Sequence, residues 1–273
     1  MIAFPNAKIN LGLRITGKRA DGYHNLETLF YPVSLHDALE IIQDPEEQSG
    51  VRFSSTGIAL DIPAENNLCV KAWQLIRRDY PDLPAVQMHL HKKIPAGAGL
   101  GGGSSDASFT LRLLNEKFRL HIPDPQLAAY ALELGSDCPF FLLNKPSIGR
   151  GRGELLTPVQ PDLSAWSILL INPGIHISTA WAFSQIECSA SDEALEDIIS
   201  RPVHQWKNLL KNDFEKPVFA RYPELAALKL KLYEQGAGYV TLSGTGSSMI
   251  ALFSSTPTLP LQNLPSHYGF TIL

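Results

Sequence analysis

Lys92-Lys93-Ile94-Pro95-Ala96-Gly97-Ala98-Gly99-Leu100-Gly101-Gly102-Gly103-Ser104-Ser105-Asp106 is the stretch on which the reading of this chain turns. Within residues 96–102, six of seven are Gly or Ala, so backbone N–H groups can approach an anion with no side chain between. Ahead of it Val86, Met88 and Leu90 alternate, which predicts a strand over residues 86–91. Behind it Ala107, Leu111, Leu114 and Phe118 recur at helical spacing. Strand, glycine-rich turn and helix N-terminus together make a phosphate-binding device.

Composition narrows the class. The chain has 273 residues, enough for one large domain or two of ordinary size, and is 44% hydrophobic and 18% charged, as in a globular protein. A net charge of −4 gives no basic footprint for nucleic acid, so attraction for a phosphorylated ligand must come from a local site. Cys69, Cys138 and Cys188 are widely separated, which argues against a disulfide framework and a zinc site. No apolar run approaches a membrane span and residues 1–6 do not read as a signal peptide, so a cytoplasmic location is expected.

The first third reads as β-rich. Over residues 7–13, Ile9, Leu11 and Leu13 face one way and Lys8, Asn10 and Gly12 the other. Strands are expected over 26–33 and 38–42, and a surface hairpin loop over 45–50. Asn66-Asn67 reads as the cap of a helix through Arg78, and a second helix is expected over 123–134, ended by Gly135. Gly149-Arg150-Gly151-Arg152-Gly153-Glu154 reads as a flexible break, with a domain boundary shortly after it. Beyond it come an apolar strand over 166–171, helices over 192–200, 204–212 and 223–235, and strands over 239–242 and 249–253. The last two flank a second glycine-rich turn, Ser243-Gly244-Thr245-Gly246. Strands and helices mix without regular βαβ alternation, so the fold class is α+β.

Residues 97–102 satisfy the dinucleotide fingerprint G-x-G-x-x-G, but the motif sits mid-chain and no acidic residue closes a following strand. Three consecutive glycines before Ser-Ser also suit a wider phosphate-wrapping loop. Residues 12–18 fit G-x-x-x-x-G-K, yet Arg19 stands where a P-loop needs Ser or Thr. Lys8 is a charge inside an apolar strand. It reads either as a solvent-facing lysine or as a fixed cation for a phosphate or reacting hydroxyl. Asp137, just ahead of the apolar residues 139–143, reads either as a turn or helix cap or as a carboxylate that takes a proton from an attacking alcohol. Cys138 reads as a packing residue. In Asp21-Gly22-Tyr23-His24, Tyr23 offers a flat face for a base and His24 a hydrogen bond, though the segment also fits a plain turn.

Taken together and in this order, these motifs give a resemblance. Residues 5–11, Arg19-Ala20-Asp21-Gly22-Tyr23-His24, residues 94–105, residues 134–139 and Ser243-Gly244-Thr245-Gly246 resemble the galactokinase, homoserine kinase, mevalonate kinase and phosphomevalonate kinase (GHMP) superfamily. The Lys8–Asn10 strand with Arg-Ala-Asp-Gly-Tyr-His is similar to its cytidine-substrate branch. The resemblance implies a two-domain kinase, with residues 1–155 as the ATP-binding domain, 156–273 as the C-terminal domain, and the active site in the cleft between. It implies ATP and Mg²⁺, and a small-molecule acceptor, a cytidine-diphosphate-linked methylerythritol phosphorylated on its 2-hydroxyl. Lys8 and Asp137 would be catalytic. Pro95, Ala96, Gly97, Ala98, Gly99, Leu100, Gly101, Gly102, Gly103, Ser104 and Ser105 would bind ATP, with Asn67, Leu68 and Lys92 near the adenine. Asn10, Tyr23, His24 and Phe183 would hold the acceptor. The chain gives no metal ligand set, no oligomeric state, and no role for Asp106, Arg150 or Arg152. Two other classes stay open on the residues alone: a Rossmann oxidoreductase and an inert ATP-binding module.

Overall fold

The computed structural model describes residues 1–47, 50–186, 188, 193–255, 265 and 267–273. In chain order the strands are β1 (Ile2–Ala3), β2 (Asn6–Lys18), β3 (His24–His36), β4 (Ala38–Gln43), β5 (Val51–Gly57), β6 (Val86–Lys92), β7 (Ser147–Arg150), β8 (Leu155–Pro158), β9 (Ser167–Asn172), β10 (Tyr239–Leu242), β11 (Met249–Phe253) and β12 (Gly269–Ile272). The helices are α1 (Leu68–Asp79), α2 (Gly102–Lys117), α3 (Asp124–Leu134), α4 (Cys138–Leu143), α5 (Thr179–Ser184), α6 (Leu195–Ile199), α7 (Trp206–Leu209), α8 (Glu215–Arg221) and α9 (Pro223–Glu234). The mixture is α+β, as expected.

Two compact units emerge, each assembled from three segments. The first comprises Met1–Ala7, Ser34–Ala96 and Gly101–Lys145. Its sheet has the order β1-β4-β6-β5, with β4 antiparallel to β6 (Leu39 opposite Leu90) and β5 parallel to it (Phe53 opposite Met88). Leu39, Ile41, Met88 and Leu90 from the sheet pack with Trp73 and Ile76 of α1 and Leu111 and Leu114 of α2 in one buried cluster. The Asn67 carboxamide accepts from the Cys69 N–H at 2.9 Å, which fixes the start of α1 where the sequence places it.

The second unit comprises Lys8–Val33, Gly97–Leu100 and Pro146–Leu273. One sheet has the order β10-β11-β9-β12, and its core joins Leu169, Ile171, Val240 and Met249 to Phe214, Val218, Leu225 and Leu228. The other sheet has the order β2-β3-β7-β8. The division expected from the sequence, 1–155 and 156–273, follows the chain, whereas these units interleave it. The physical reason is that strands pair by hydrogen bonding and not by proximity in sequence.

Several local expectations change. Residues 149–154 are no flexible break: β7 and β8 form an antiparallel hairpin, and β7 pairs with β3. Gly149 lies so close to Phe30 that a Cβ there would sit 2.4 Å from its ring. Residues 45–50 do not close a hairpin, because β4 and β5 each pair with β6 and lie on opposite sides of it; residues 48–49 of that loop lie outside the described residues. The helix expected over 204–212 is a short 3₁₀ turn followed by α7, and that over 192–200 is α6, with residue 192 outside the described residues. Helices α5 and α8 and strands β5, β7, β8 and β12 were not expected, being short or weakly patterned. Among the described residues no helix is long and apolar enough to cross a membrane.

Candidate active site

The glycine-rich segment begins on β6 and ends as α2. Gly101 takes the left-handed conformation (φ 68°) and serves as the N-cap of α2 without any side-chain cap. The first N–H groups of a helix have no intrahelical partner, so this end presents backbone donors and the positive end of the helix dipole. Gly102 needs its missing side chain, since a Cβ would lie 2.8 Å from Ile94 Cγ2 and 3.2 Å from Lys92 Nζ. Gly103 is exposed and the Ser105 hydroxyl is buried without a hydrogen-bond partner. Pro95 and Ala96, on the first unit's side of the loop, are half-buried and exposed.

Within the second unit, Gly97–Leu100 is clamped by two other predicted motifs. Gly99 (φ 79°) comes so close to the second glycine-rich turn that a Cβ would lie 1.9 Å from the Ser243 carbonyl oxygen. Gly246 reciprocates: its Cβ would lie 2.2 Å from the Ala98 carbonyl carbon. The Ser243 hydroxyl donates to the Gly99 carbonyl at 2.8 Å and accepts from the Asn10 N–H at 3.1 Å, while the Lys8 N–H donates to the Leu100 carbonyl at 3.0 Å. Ala98 and Leu100 are buried.

Lys8 is 4% exposed, which removes the reading of a solvent-facing lysine. Its ammonium donates to Asn10 Oδ1 at 2.6 Å and lies 5.0 Å from the centre of the Phe30 ring. Asn10 Nδ2 in turn donates to Thr28 Oγ1 at 2.9 Å, and Thr28 Oγ1 donates to the Gly12 carbonyl at 2.5 Å. This chain of bonds fixes the direction of a buried cation, and it also occupies both ends of the Asn10 side chain.

Asp137, in the first unit, stands at the N-cap position of α4 yet makes no capping hydrogen bond. It lies in the turn that leads into α4, so of the two structural readings the turn is present and the side-chain cap is not. Cys138 beside it is fully buried, and burial pushes its thiol up to about 11, as befits a packing residue. The Ser108 hydroxyl donates to the Cys138 carbonyl at 2.7 Å and ties α4 to α2.

Lys92 is 3% exposed and its ammonium is shared by two carboxylates, Asp37 and, at 2.8 Å, Asp106. The other Asp37 oxygen accepts from the Lys93 and Ile94 N–H groups and so holds the base of the loop. One ammonium serves two acids. Burial pushes the Asp106 carboxyl up to about 7 despite the opposing pull of Lys92, and Asp106 Oδ1 has no hydrogen-bond partner. Asp106, left without a role by the sequence, is one of three members of a buried ion cluster. Asn67 spends its side-chain oxygen on the α1 cap, and Leu68 is half-buried beside it, 3.7 Å from where a Gly103 Cβ would lie.

The predicted acceptor residues Asn10, Tyr23, His24 and Phe183 all belong to the second unit. His24 and Phe183 stack with ring centres 5.1 Å apart and planes at 28°, and Phe214 meets Phe183 edge-on at 4.9 Å. Tyr23 is 56% exposed, and the Arg152 guanidinium lies 4.9 Å from its ring centre. A separate concavity of about 680 Å³, between Gln185 and Ile186 on one side and Lys211, Asp213 and Lys216 on another, includes none of the predicted site residues.

Comparison with known proteins decides the family. Residues 67–145 match the GHMP kinases N terminal domain and residues 194–259 the GHMP kinases C terminal domain. The 4-diphosphocytidyl-2-C-methyl-D-erythritol kinase of Bacteroides fragilis (strain YCH46) is 50% identical over 99% of this chain and 98% of its own length. The chain belongs to this family of GHMP kinases. That of Porphyromonas gingivalis (strain ATCC 33277) is 48% identical over 95% of this chain and 94% of its own length. A crystal structure of 4-(cytidine 5'-diphospho)-2C-methyl-D-erythritol kinase superposes with a TM-score of 0.79 at 32% identity, covering 92% of this chain and 90% of that one. Mevalonate kinase of Methanococcus jannaschii shares the fold, with a TM-score of 0.73 at 14% identity over 100% of this chain and 97% of its own.

For a GHMP kinase, four residues that sequence reasoning gave no role now stand next to the predicted ones: Thr28, Asp37, Ser243 and Arg152. Asp37 carried a readable signal, a lone acid between the strand runs ending at Val33 and starting at Ala38. Ser243 stood in the second glycine-rich turn, although nothing in that motif told what its hydroxyl would bond; Thr28 carried no signal, because its partners lie many residues away.

Proposed function

We propose that this kinase transfers the γ-phosphate of ATP to the 2-hydroxyl of 4-diphosphocytidyl-2-C-methyl-D-erythritol, giving the 2-phosphate and ADP in non-mevalonate isoprenoid biosynthesis in the cytoplasm. The observation that carries the reading is the similarity over 99% of the chain to a relative of that name. The His24–Phe183 stack, with the exposed Tyr23 ring next to His24 in sequence, supports it chemically, since flat rings suit a pyrimidine base that mevalonate and homoserine lack.

Phosphoryl transfer asks for position and charge neutralisation more than for covalent chemistry. Residues 95–105 wrap the phosphates; the backbone donors come from positions between Pro95, which has no N–H, and Ser105, whose N–H goes to the Gly101 carbonyl, and the uncapped start of α2 adds its dipole. Asn67, Leu68 and Lys92 are assigned to the adenine. With its ammonium engaged by Asp37 and Asp106, Lys92 shapes that wall and lends no charge to the phosphates. Asp137 takes the proton of the acceptor hydroxyl as its oxygen bonds to Pγ and the bond from Pγ to the ADP oxygen breaks. Lys8 stabilises negative charge on the reacting oxygens, in a direction set by Asn10. Asn10 therefore acts on the acceptor through Lys8.

Mg²⁺ fits as an ion carried in on the triphosphate, a hard cation that keeps few protein ligands. Among the described residues no group of three or more His, Cys, Asp or Glu side chains gathers to hold it, and the unpartnered Ser105 hydroxyl in the first turn of α2 is the protein oxygen assigned to it. When bound, it would neutralise charge on the phosphate oxygens. The test is the position of the new phosphate. C2 of the acceptor bears a methyl group and no hydrogen, so a 2-phosphate gives a ³¹P resonance without three-bond proton coupling. A coupled resonance would place the phosphate on another hydroxyl and overturn the reading.

A further inference from the structure

The turn between β7 and β8 carries Arg152, a charge that the proposed chemistry leaves unused. Two left-handed glycines, Gly151 (φ 70°) and Gly153 (φ 111°), flank it, and the Gly151 carbonyl accepts from the Leu26 N–H at 2.7 Å. The turn is thereby fastened to the first residues of β3, two positions past His24. Arg152 then lies with its guanidinium carbon 4.9 Å from the Tyr23 ring centre.

Its charge is only loosely neutralised. Glu154 spends one carboxylate oxygen on the Arg152 backbone N–H at 2.5 Å, and the other is 3.8 Å from the Arg152 Nε. The nearby Asp21 is engaged by Arg19 and by the Tyr23 N–H. Desolvation works to raise the Asp21 carboxyl, but the Tyr23 N–H, Arg19 and the more distant charge of Arg152 together hold it below its ordinary range. Tyr23 remains more than half exposed even with the guanidinium carbon 4.9 Å from its ring centre.

We propose that Arg152 is a specificity-determining residue for the nucleotide end of the acceptor: it braces the Tyr23 ring for a base and offers a cation to the linked diphosphate. The inference rests on the cytidine-diphosphate reading of the site above. A guanidinium is suited to both tasks, since its plane stacks on an aromatic face while its edge donors fit a phosphate fork. A lysine keeps the charge and loses the plane.

Steady-state kinetics of the full chain with both substrates test this, alongside calorimetric titration with cytidine 5'-diphosphate. Arg152→Ala is expected to raise KM for the acceptor about 3- to 10-fold, the scale of an exposed cation–π contact plus a phosphate contact. KM for ATP and the melting temperature should stay put. Arg152→Lys should fall between wild type and Arg152→Ala. In a Tyr23→Ala background, Arg152→Ala should cost less than it does alone, because the bracing part of its role is already gone. An unchanged acceptor KM, an equal rise in both KM values, or full additivity with Tyr23→Ala would overturn the inference. If wild type neither binds cytidine 5'-diphosphate nor turns over the acceptor, the functional reading itself fails and this inference with it.

Discussion

Replacing Gly99 by alanine tests how the two glycine-rich turns are fitted together. The new Cβ would fall 1.9 Å from the Ser243 carbonyl oxygen, 2.9 Å from its carbon and 3.2 Å from the Gly246 nitrogen, all of them backbone atoms. A left-handed φ of 79° adds roughly 1–2 kcal/mol for a residue with a Cβ. Relieving the clash requires the Ser243 turn to shift, an overpacking cost of about 1–3 kcal/mol. The same shift disturbs the hydrogen bonds from Ser243 Oγ to Gly99 and from Asn10 to Ser243 Oγ, at about 0.5–1.5 kcal/mol each. Removing glycine also stiffens the unfolded chain, which returns roughly 0.4–1 kcal/mol. The net is a destabilisation of about 2–8 kcal/mol. At roughly 2–4 °C per kcal/mol for a chain of this size, the melting temperature should drop by at least about 4 °C. Gly103→Ala is the matched control: the position lies in α2, and its Cβ would meet only Leu68 Cδ1 at 3.7 Å. Its melting temperature should equal or exceed that of wild type. Thermal unfolding of the pair checks both, and a Gly99→Ala protein melting within about 1 °C of wild type would refute the interlock.

Three further outcomes follow from the same geometry. Asp137→Asn should lower kcat by about 10²–10⁴-fold while leaving ATP affinity intact, as read by steady-state kinetics and nucleotide titration; near-normal turnover would make Asp137 structural. Thr28→Val removes the acceptor for Asn10 Nδ2 and the donor to the Gly12 carbonyl, so urea unfolding should show a loss of about 1–3 kcal/mol, together with a fall in kcat as Lys8 loses its bracket. The raised Asp106 carboxyl sets a pH dependence. Near pH 4–7 the folded state holds this proton more tightly than the unfolded state, so its contribution to stability declines as pH rises through that window. Wild type should therefore lose more stability between pH 5 and pH 8 than Asp106→Asn, and identical slopes in thermal melts would contradict the assignment.

The fold was legible where pattern and cap coincide. Asn67 marks the start of α1, the apolar spacing after Gly101 marks α2, and the alternation around Lys8 marks β2. Illegible elements are those whose reasons lie far away in sequence. Strand β5 exists because β6 offers a parallel edge, and the 149–154 glycines serve a hairpin packed on Phe30, although their composition reads as a linker. The candidate site divides in the same way. Lys8 and Asp137 stood out as charges in apolar runs, and Tyr23-His24 as rings in a turn. Asp106 was visible as a letter beside the loop, but only the burial of Lys92 and Asp37 around it shows that its charge is spoken for within the fold. Arg152 had no legible role until the hairpin laid it against Tyr23.

The central claim is that the acceptor is the cytidine-diphosphate-linked methylerythritol. A coupled ADP-release assay with that compound, mevalonate and homoserine in parallel, each with MgATP, tests it most directly. Turnover of the cytidine compound well above both others is the predicted result. Preferential phosphorylation of mevalonate or homoserine, or no ADP release with any of the three, would contradict it.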